Sequence, residues 1–261
     1  FVAGVVVVAI LLGKSPMTLF AGLGATSAVL MLVFKDTILG LAAGVRLTSN
    51  DMLHKGDWIT VKSVDANGIV EDMSLTTVKV RNFDNTIVTI SPATLVNGSF
   101  QNWIGMQKSG GRRVKRIVYF DFRSIRLVDE TLKQTLLAKH FATEDSFKLK
   151  ESLQKAIEKD REEGKDIEDL KNPAALAPTN LQLYRRFMEK YLRQRPEVNT
   201  ELTLMVRHME ATQCGLPIEF YFFIKDKVWV NYEHILADIM EHAYALANEF
   251  GLKIYEQYPE Q

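Results

Sequence analysis

The stretch that most constrains this chain is Met17–Phe34, eighteen consecutive residues without a charge. At about 1.5 Å of rise per residue, a helix of that length covers most of a hydrocarbon core of about 30 Å. Ser15 and Pro16 stand at its start, a capping hydroxyl followed by a proline whose missing N–H is harmless in a first turn. A membrane-spanning helix is therefore predicted over residues 15–34. Its composition is unusual for a plain anchor. Ala21, Gly22, Gly24, Ala25, Ser27 and Ala28 are small, and Ala21, Ala25, Ala28 and Leu32 recur on one face at helical spacing. Between membrane helices, where lipid is as apolar as leucine, close backbone approach through small residues drives association. The stripe fits packing against other helices of the same chain or against further copies, and the residues leave both open.

Lys35 and Asp36 end the apolar run, and residues 37–48 read as a second, amphipathic helix in which Gly40 and Gly44 flank Leu41-Ala42-Ala43. Glycine costs about 1 kcal/mol against alanine inside a helix, so each marks either a bend or a close contact. Upstream, Phe1–Leu12 is apolar but too short to cross a bilayer. It is expected to be the end of an earlier spanning helix, with Gly13-Lys14-Ser15-Pro16 as a polar turn. The basic segment and small-residue cleavage site of a signal peptide do not accompany it.

Lysine plus arginine and aspartate plus glutamate both number 32, so the balance carries no nucleic-acid or acidic-substrate footprint. The distribution is uneven, because Lys14 is the one ionisable side chain before Lys35. Cys214 is the single cysteine, which excludes an intrachain disulfide and fits a reducing compartment. Arg46 and Lys55 follow the apolar run, in keeping with cytoplasmic placement of what comes after.

Residues 51–107 read as a β-domain. The segments DWITVKSV, GIVEDMSL, TTVKVRNF and TIVTISPATL alternate with turn signals at Asn67-Gly68 and Asp84-Asn85, giving four or five strands in a compact barrel or sandwich. Gly110-Gly111 is a linker within a basic stretch. From 112 to 258, strands at Lys115–Phe122, Leu202–Glu210, Ile218–Ile224 and Leu252–Tyr255 alternate with helices at Asp129–His140 and Asn231–Phe250, the latter capped by Asn231. This β-α-β-β-α-β order is a ferredoxin-like α/β arrangement. Residues about 142–198 are extra: a charged helix at Phe147–Glu163, a break at Asn172–Pro178 and a helix at Asn180–Arg195, expected as a helical insertion on the outside.

No catalytic constellation emerges. His234, Asp238, Glu241 and His242 imitate a metal site at helical spacing but read as a solvated face. Gly22-Leu23-Gly24 lacks the third glycine and the preceding strand of a dinucleotide loop, and Cys214 has no local activating base. No enzyme, cofactor or metal is predicted.

Leu41-Ala42-Ala43-Gly44-Val45, followed by Gly56-Asp57-Trp58-Ile59, resembles the pore helix and β-domain entry of small-conductance mechanosensitive (MscS-like) channels, miniconductance type. Gly68-Ile69-Val70, Thr76-Thr77, Arg81, Asp84-Asn85 and Ile90-Ser91-Pro92 with Leu95 and Asn102 resemble the family's Sm-like β-domain, although the usual Pro-Asn pair reads Ser91-Pro92 here. The resemblance runs from about Met17 to Tyr255. It implies a membrane α-helical pore segment, a cytoplasmic Sm-like β-domain and a ferredoxin-like cage domain. It further implies a multi-pass homoheptamer of the bacterial inner membrane, opened by tension to release ions and small solutes during osmotic stress. Its partners would be copies of itself, membrane lipids and permeant ions, with no nucleic acid.

Carried over residue by residue, the family's two sealing leucines fall at Ala28 and Leu32, so Leu32 is the expected seal, with Ala28 and Lys35 lining the pore. Helix-packing positions fall at Ala21, Gly24, Ala25, Ser27 and Met31. The family's mid-helix hinge glycine falls at Asp36 and its second at Gly44, which leaves Gly40 and Gly44 as hinge candidates. The competing reading is a membrane-tethered RNA-binding or scaffold protein. Against RNA stand Asp57, Asp65, Glu71, Asp72 and Asp84, interspersed among the lysines of the β segments.

Overall fold

The computed structural model describes residues 2–13, 15–148, 159 and 177–257. The chain divides into two compact units, Phe1–Gly105 and Met106–Gln261.

The first unit opens with helices α1 (Val2–Leu11) and α2 (Pro16–Ser49). The amphipathic helix expected at 37–48 continues the spanning helix directly, with Lys35 and Asp36 inside one uninterrupted α2. Neither residue removes a backbone donor, and two glycines weaken the i→i−4 ladder without breaking it. Strands β1 (Trp58–Val61), β2 (Ala66–Met73), β3 (Val78–Asn82), β4 (Ile87–Ile90) and β5 (Gln101–Asn102) form one antiparallel sheet in the order β4-β3-β2-β1-β5. Alternation explains them: Val78 and Val80 are buried while Lys79 and Arg81 face out. The inward residues join Leu47, Leu53, Ile59 and Leu95 in one core.

Two local expectations change. Asn67-Gly68 is not a turn; the chain reverses at Lys62–Val64 with Asp65 left-handed (φ 52°), and Gly68 lies within β2. A Cβ there would come within 1.9 Å of the Arg81 carbonyl oxygen, so the glycine serves close strand approach. The SPATL segment is helix α3 (Pro92–Asn97), capped when the Thr94 N–H donates to Ser91 Oγ at 3.2 Å. The Asp84-Asn85 turn does form, with Asn85 at φ 68° and the Thr86 N–H and hydroxyl donating to Asp84 Oδ1 at 2.9 and 2.7 Å. A short helix, α4 (Ile104–Lys108), follows β5.

The second unit contains β6 (Arg112–Phe120), α5 (Glu130–Ala138), α6 (Glu144–Phe147), α7 (Asn180–Gln194), β7 (Met205–His208), β8 (Leu216–Ile224) and α8 (Trp229–Glu249). Its sheet is antiparallel in the order β6-β8-β7. The strand expected at Leu252–Tyr255 is reduced to one antiparallel bridge, Ile254 to Phe120, flanked by the Tyr255 N–H donating to the Tyr119 carbonyl at 2.8 Å. Asn231 does not cap α8. Val228 holds that position, and Asn231 Nδ2 donates instead to Asp226 Oδ2 at 2.8 Å.

The main correction concerns α7, expected on the outside as part of an insertion. Leu181, Leu183, Tyr184, Met188 and Leu192 are buried in the same core as Phe120, Phe220 and Phe222 of the sheet and Leu236 and Ile239 of α8. Asn180, fully buried, bonds the Ser124 and Phe250 carbonyls through Nδ2 at 2.9 and 3.0 Å, and the Tyr184 hydroxyl donates to the Ala243 carbonyl at 2.6 Å. The apolar residues at 181, 184, 188 and 192 form one helical stripe, which the arginines and lysines between them disguise in composition. The charged helix expected at Phe147–Glu163 lies, beyond Lys148 and apart from Lys159, outside the described residues, as do residues 172–176 of the break.

Candidate pore helix and its seat in the β-domain

Helix α2 starts where the sequence places a cap, with the Thr18 N–H donating to Ser15 Oγ at 3.2 Å and Pro16 in the first turn. From Ala21 to Leu39 every residue is exposed around the full circumference of the helix. The helix is the one among the described residues long and apolar enough to cross a membrane. Ala21, Ala25, Ala28, Leu32 and Lys35 share one face, and Gly24, Ser27 and Met31 lie beside them. A Cβ at Gly22 or Gly24 would meet nothing within 4 Å, and Leu32 and Met31 are 72% and 71% exposed. The stripe is therefore exposed along one face, with no partner among the described residues of this chain. Water is a poor partner for it. At about 25 cal/mol per Å² of apolar surface, an exposed apolar helix of this length requires lipid, neighbouring helices or both.

The foot of α2 is built differently. Ala43, Gly44 and Leu47 are buried, and Leu47 belongs to the β-domain core. A Cβ on Gly44 would lie 2.2 Å from the Leu75 carbonyl oxygen and 2.9 Å from its carbon, so the β2–β3 connection rests directly on the helix backbone. One turn earlier, a Cβ on Gly40 would meet nothing within 4 Å. The two glycines that the sequence pairs thus have different surroundings: Gly44 is a seat and Gly40 borders open space. That space is a cleft of about 580 Å³ lined by Asp36, Thr37, Leu39 and Gly40 on the helix and by Thr76, Ser91, Ala93 and Asn97 opposite.

Beyond the helix, a buried carboxylate ties the connecting loop to the sheet. Asp57 accepts from the His54 N–H at 3.0 Å and from Asn102 Nδ2 at 2.8 Å, and the Asn102 amide also reaches the Met52 carbonyl at 3.3 Å. His54 pairs at 2.9 Å with Asp51, which is held left-handed at φ 57°. Sequence alone marks Asp57 and Asn102 as similar to the family without giving them this role, and it carries no signal for Leu75.

The family profile of the mechanosensitive ion channel β-domain matches residues 36–105, from the lower half of α2 through β5. The small-conductance mechanosensitive channel of Methanocaldococcus jannaschii is 33% identical over 90 residues, covering 34% of this chain and 25% of that protein. Over this segment the chain is similar to the MscS-like mechanosensitive channels. The large-conductance mechanosensitive channel of the same archaeon is 29% identical over 138 residues, 52% of this chain and 38% of that protein. The chain thus spans well under half of these relatives' lengths. Among solved structures, Arabidopsis thaliana MSL1 superposes with a TM-score of 0.61 over 98% of this chain and 72% of that one. Helicobacter pylori MscS in its closed state does so with 0.58 over 96% and 74%. Both are 12% identical, so they establish a shared fold with an N-terminal apolar helix and β-sheets. The family is one of channels, not a class of enzymes.

Proposed function

We propose that the chain is a subunit of a homo-oligomeric, tension-gated channel, a heptamer of the inner membrane with its later domains in the cytoplasm as an Sm-like β-domain and a ferredoxin-like cage. One observation carries the reading: α2 is exposed all round over Ala21–Leu39 and uncharged as far as Phe34, yet buried at its foot at Ala43, Gly44 and Leu47. A helix held at its foot and unpartnered above it fits a ring in which copies meet through the small-residue stripe and lipid covers the rest. The relatives named as mechanosensitive channels support it. So does the order of the second sheet, in which the Ile254 bridge extends β6-β8-β7 to a ferredoxin-like four-position sheet.

The mechanism is a population shift. Tension favours the state that occupies more area in the membrane plane, and a wider pore gains in proportion to tension times added area. Helices meeting through Ala21, Gly24, Ala25 and Ser27 slide past one another with little rotamer change. A ring of Leu32, with Ala28 above it, keeps the narrow pore dewetted, while Lys35 sets charge at its end. Opening under osmotic stress would release ions and small solutes.

The test is patch recording under graded suction. Leu32→Ser should open at lower tension than the unmodified chain, and Lys35 substitutions should shift ion preference more than threshold. Leu32→Ser channels with an unchanged threshold would move the seal to Met31 or Phe34. No conductance at any tension would leave a membrane scaffold.

A further inference from the structure

The second unit has a sheet with one finished side. Helices α7 and α8 cover the face of Val114, Val118, Phe220 and Phe222, whereas among the described residues no helix covers the other. Cross-strand register puts three rows on that uncovered face: Lys115–Tyr221–Met205, Ile117–Glu219–Arg207, and Tyr119 beside Pro217. Arg113 lies next to Phe223 at its end. A water-facing side of an antiparallel sheet alternates to polar residues. Here tyrosine, phenylalanine, methionine and arginine dominate, the residues enriched at protein interfaces.

The charge on this face is fixed in place. Glu219 is fully buried, Arg207 donates to its Oε2 from Nε and Nη2, both at 2.7 Å, and Lys115 Nζ stands 3.5 Å from Oε1. Arg113 lies over the Tyr221 ring, 5.9 Å from its centroid. Two cations thus flank one carboxylate and a third lies on the neighbouring tyrosine, which leaves the face positive and its basic groups pre-positioned.

On the opposite side of the same layered unit, α8 turns Ala237, Asp238, Glu241, Tyr244 and Ala245 outward. The strip is acidic, and its alanines allow close approach. Neighbouring α7 exposes Lys190 and Arg193, which confines the negative strip to α8. We propose that the uncovered face of β6-β8-β7 receives the outward face of α8 from the next copy of this chain, completing the sheet's second layer in trans. Complementary patches on opposite sides of one unit make a head-to-tail contact, the kind that closes rings. The inference rests on the oligomer proposed above and specifies which surfaces meet.

Cysteine crosslinking in the full chain tests it, in a Cys214→Ser background in lipid nanodiscs. Tyr119→Cys combined with Ala237→Cys or Ala245→Cys should give, on oxidation, a ladder of dimers, trimers and larger species on denaturing gels. Each cysteine alone should give none. Arg113→Glu should slow ladder formation roughly tenfold, and adding Glu241→Arg should restore it. Native mass measurement is run beside the gels, because α2 by itself would hold a ring. Intact rings without ladders from either pair overturn this assignment of surfaces and leave the oligomer standing, whatever else the face binds. Dimers from Tyr119→Cys alone overturn it too, since they require sheet against sheet. A monomeric unmodified chain would overturn the oligomer itself.

Discussion

Helices α2 and α7 place their surfaces in opposite ways. α2 is the most apolar long segment of the chain, yet among its described residues it buries only Ala43, Gly44 and Leu47. α7 carries Arg185, Arg186, Lys190 and Arg193, yet it buries Leu181, Leu183, Tyr184, Met188 and Leu192 in the centre of the second unit. The difference teaches that burial within a chain follows the match between a stripe and a partner surface, not total hydrophobicity. α7 has a narrow apolar stripe and a sheet to receive it, with Glu189 and Arg185 also bonding the N–H and carbonyl of Val206 on the edge of β7 at 3.0 and 3.1 Å. α2 is apolar on every side, so no single surface of one chain could satisfy it.

The sharpest way to break this comparison is Met188→Ala. Removing a fully buried side chain from α7 should cost about 2–5 kcal/mol, read as a lower denaturant midpoint for the second unit. A loss below about 1 kcal/mol would return α7 to the periphery. Next comes Gly44→Ala, where the added methyl meets the Leu75 backbone. Overpacking of that kind costs about 1–3 kcal/mol and should appear as reduced yield of folded protein. Gly40→Ala is its control: with no neighbour to meet, it should keep the yield and stiffen α2 by about 1 kcal/mol, altering closing kinetics in step-pressure recordings. Equal behaviour of the two alanine variants would erase the distinction between seat and open turn.

Tyr184→Phe probes α7 more gently. Loss of the bond to the Ala243 carbonyl should cost about 1 kcal/mol at neutral pH. Burial raises the Tyr184 phenol well above its ordinary value near 10. Its neutral form therefore contributes stability that is fully present below the unfolded pKa and lost as pH rises through the folded one. The phenylalanine variant lacks that loss, so the gap between the two proteins should narrow in melts above about pH 10. Smallest in stability is Gly24→Leu. On the exposed stripe of α2 it should shift the melting of either unit by no more than about 0.5 kcal/mol. The oligomer should nonetheless weaken or become heterogeneous in native mass spectra; an undisturbed ring would move the helix contact off the stripe.

Much of this architecture was legible before folding. Eighteen uncharged residues dictate a membrane-length helix, and Ser15-Pro16 its start. Period-two alternation marks the β-domain strands, because side-chain direction along a strand is a local property. The small stripe of α2 was legible for the same reason, as helical spacing puts Ala21, Ala25, Ala28 and Leu32 on one face in any context. Tertiary structure alone decided what those local patterns meet. That Gly44 and not Gly40 lies against a backbone, and that α7 enters the core, both depend on groups distant in sequence. Gly44 and Leu75 are thirty-one positions apart, and nothing in the spacing of either segment encodes their contact. Likewise the positive face of β6-β8-β7 arises only when Lys115, Arg207 and Glu219 are aligned by strand pairing. Propensity and periodicity act over one or two turns; packing partners are chosen by the whole chain at once.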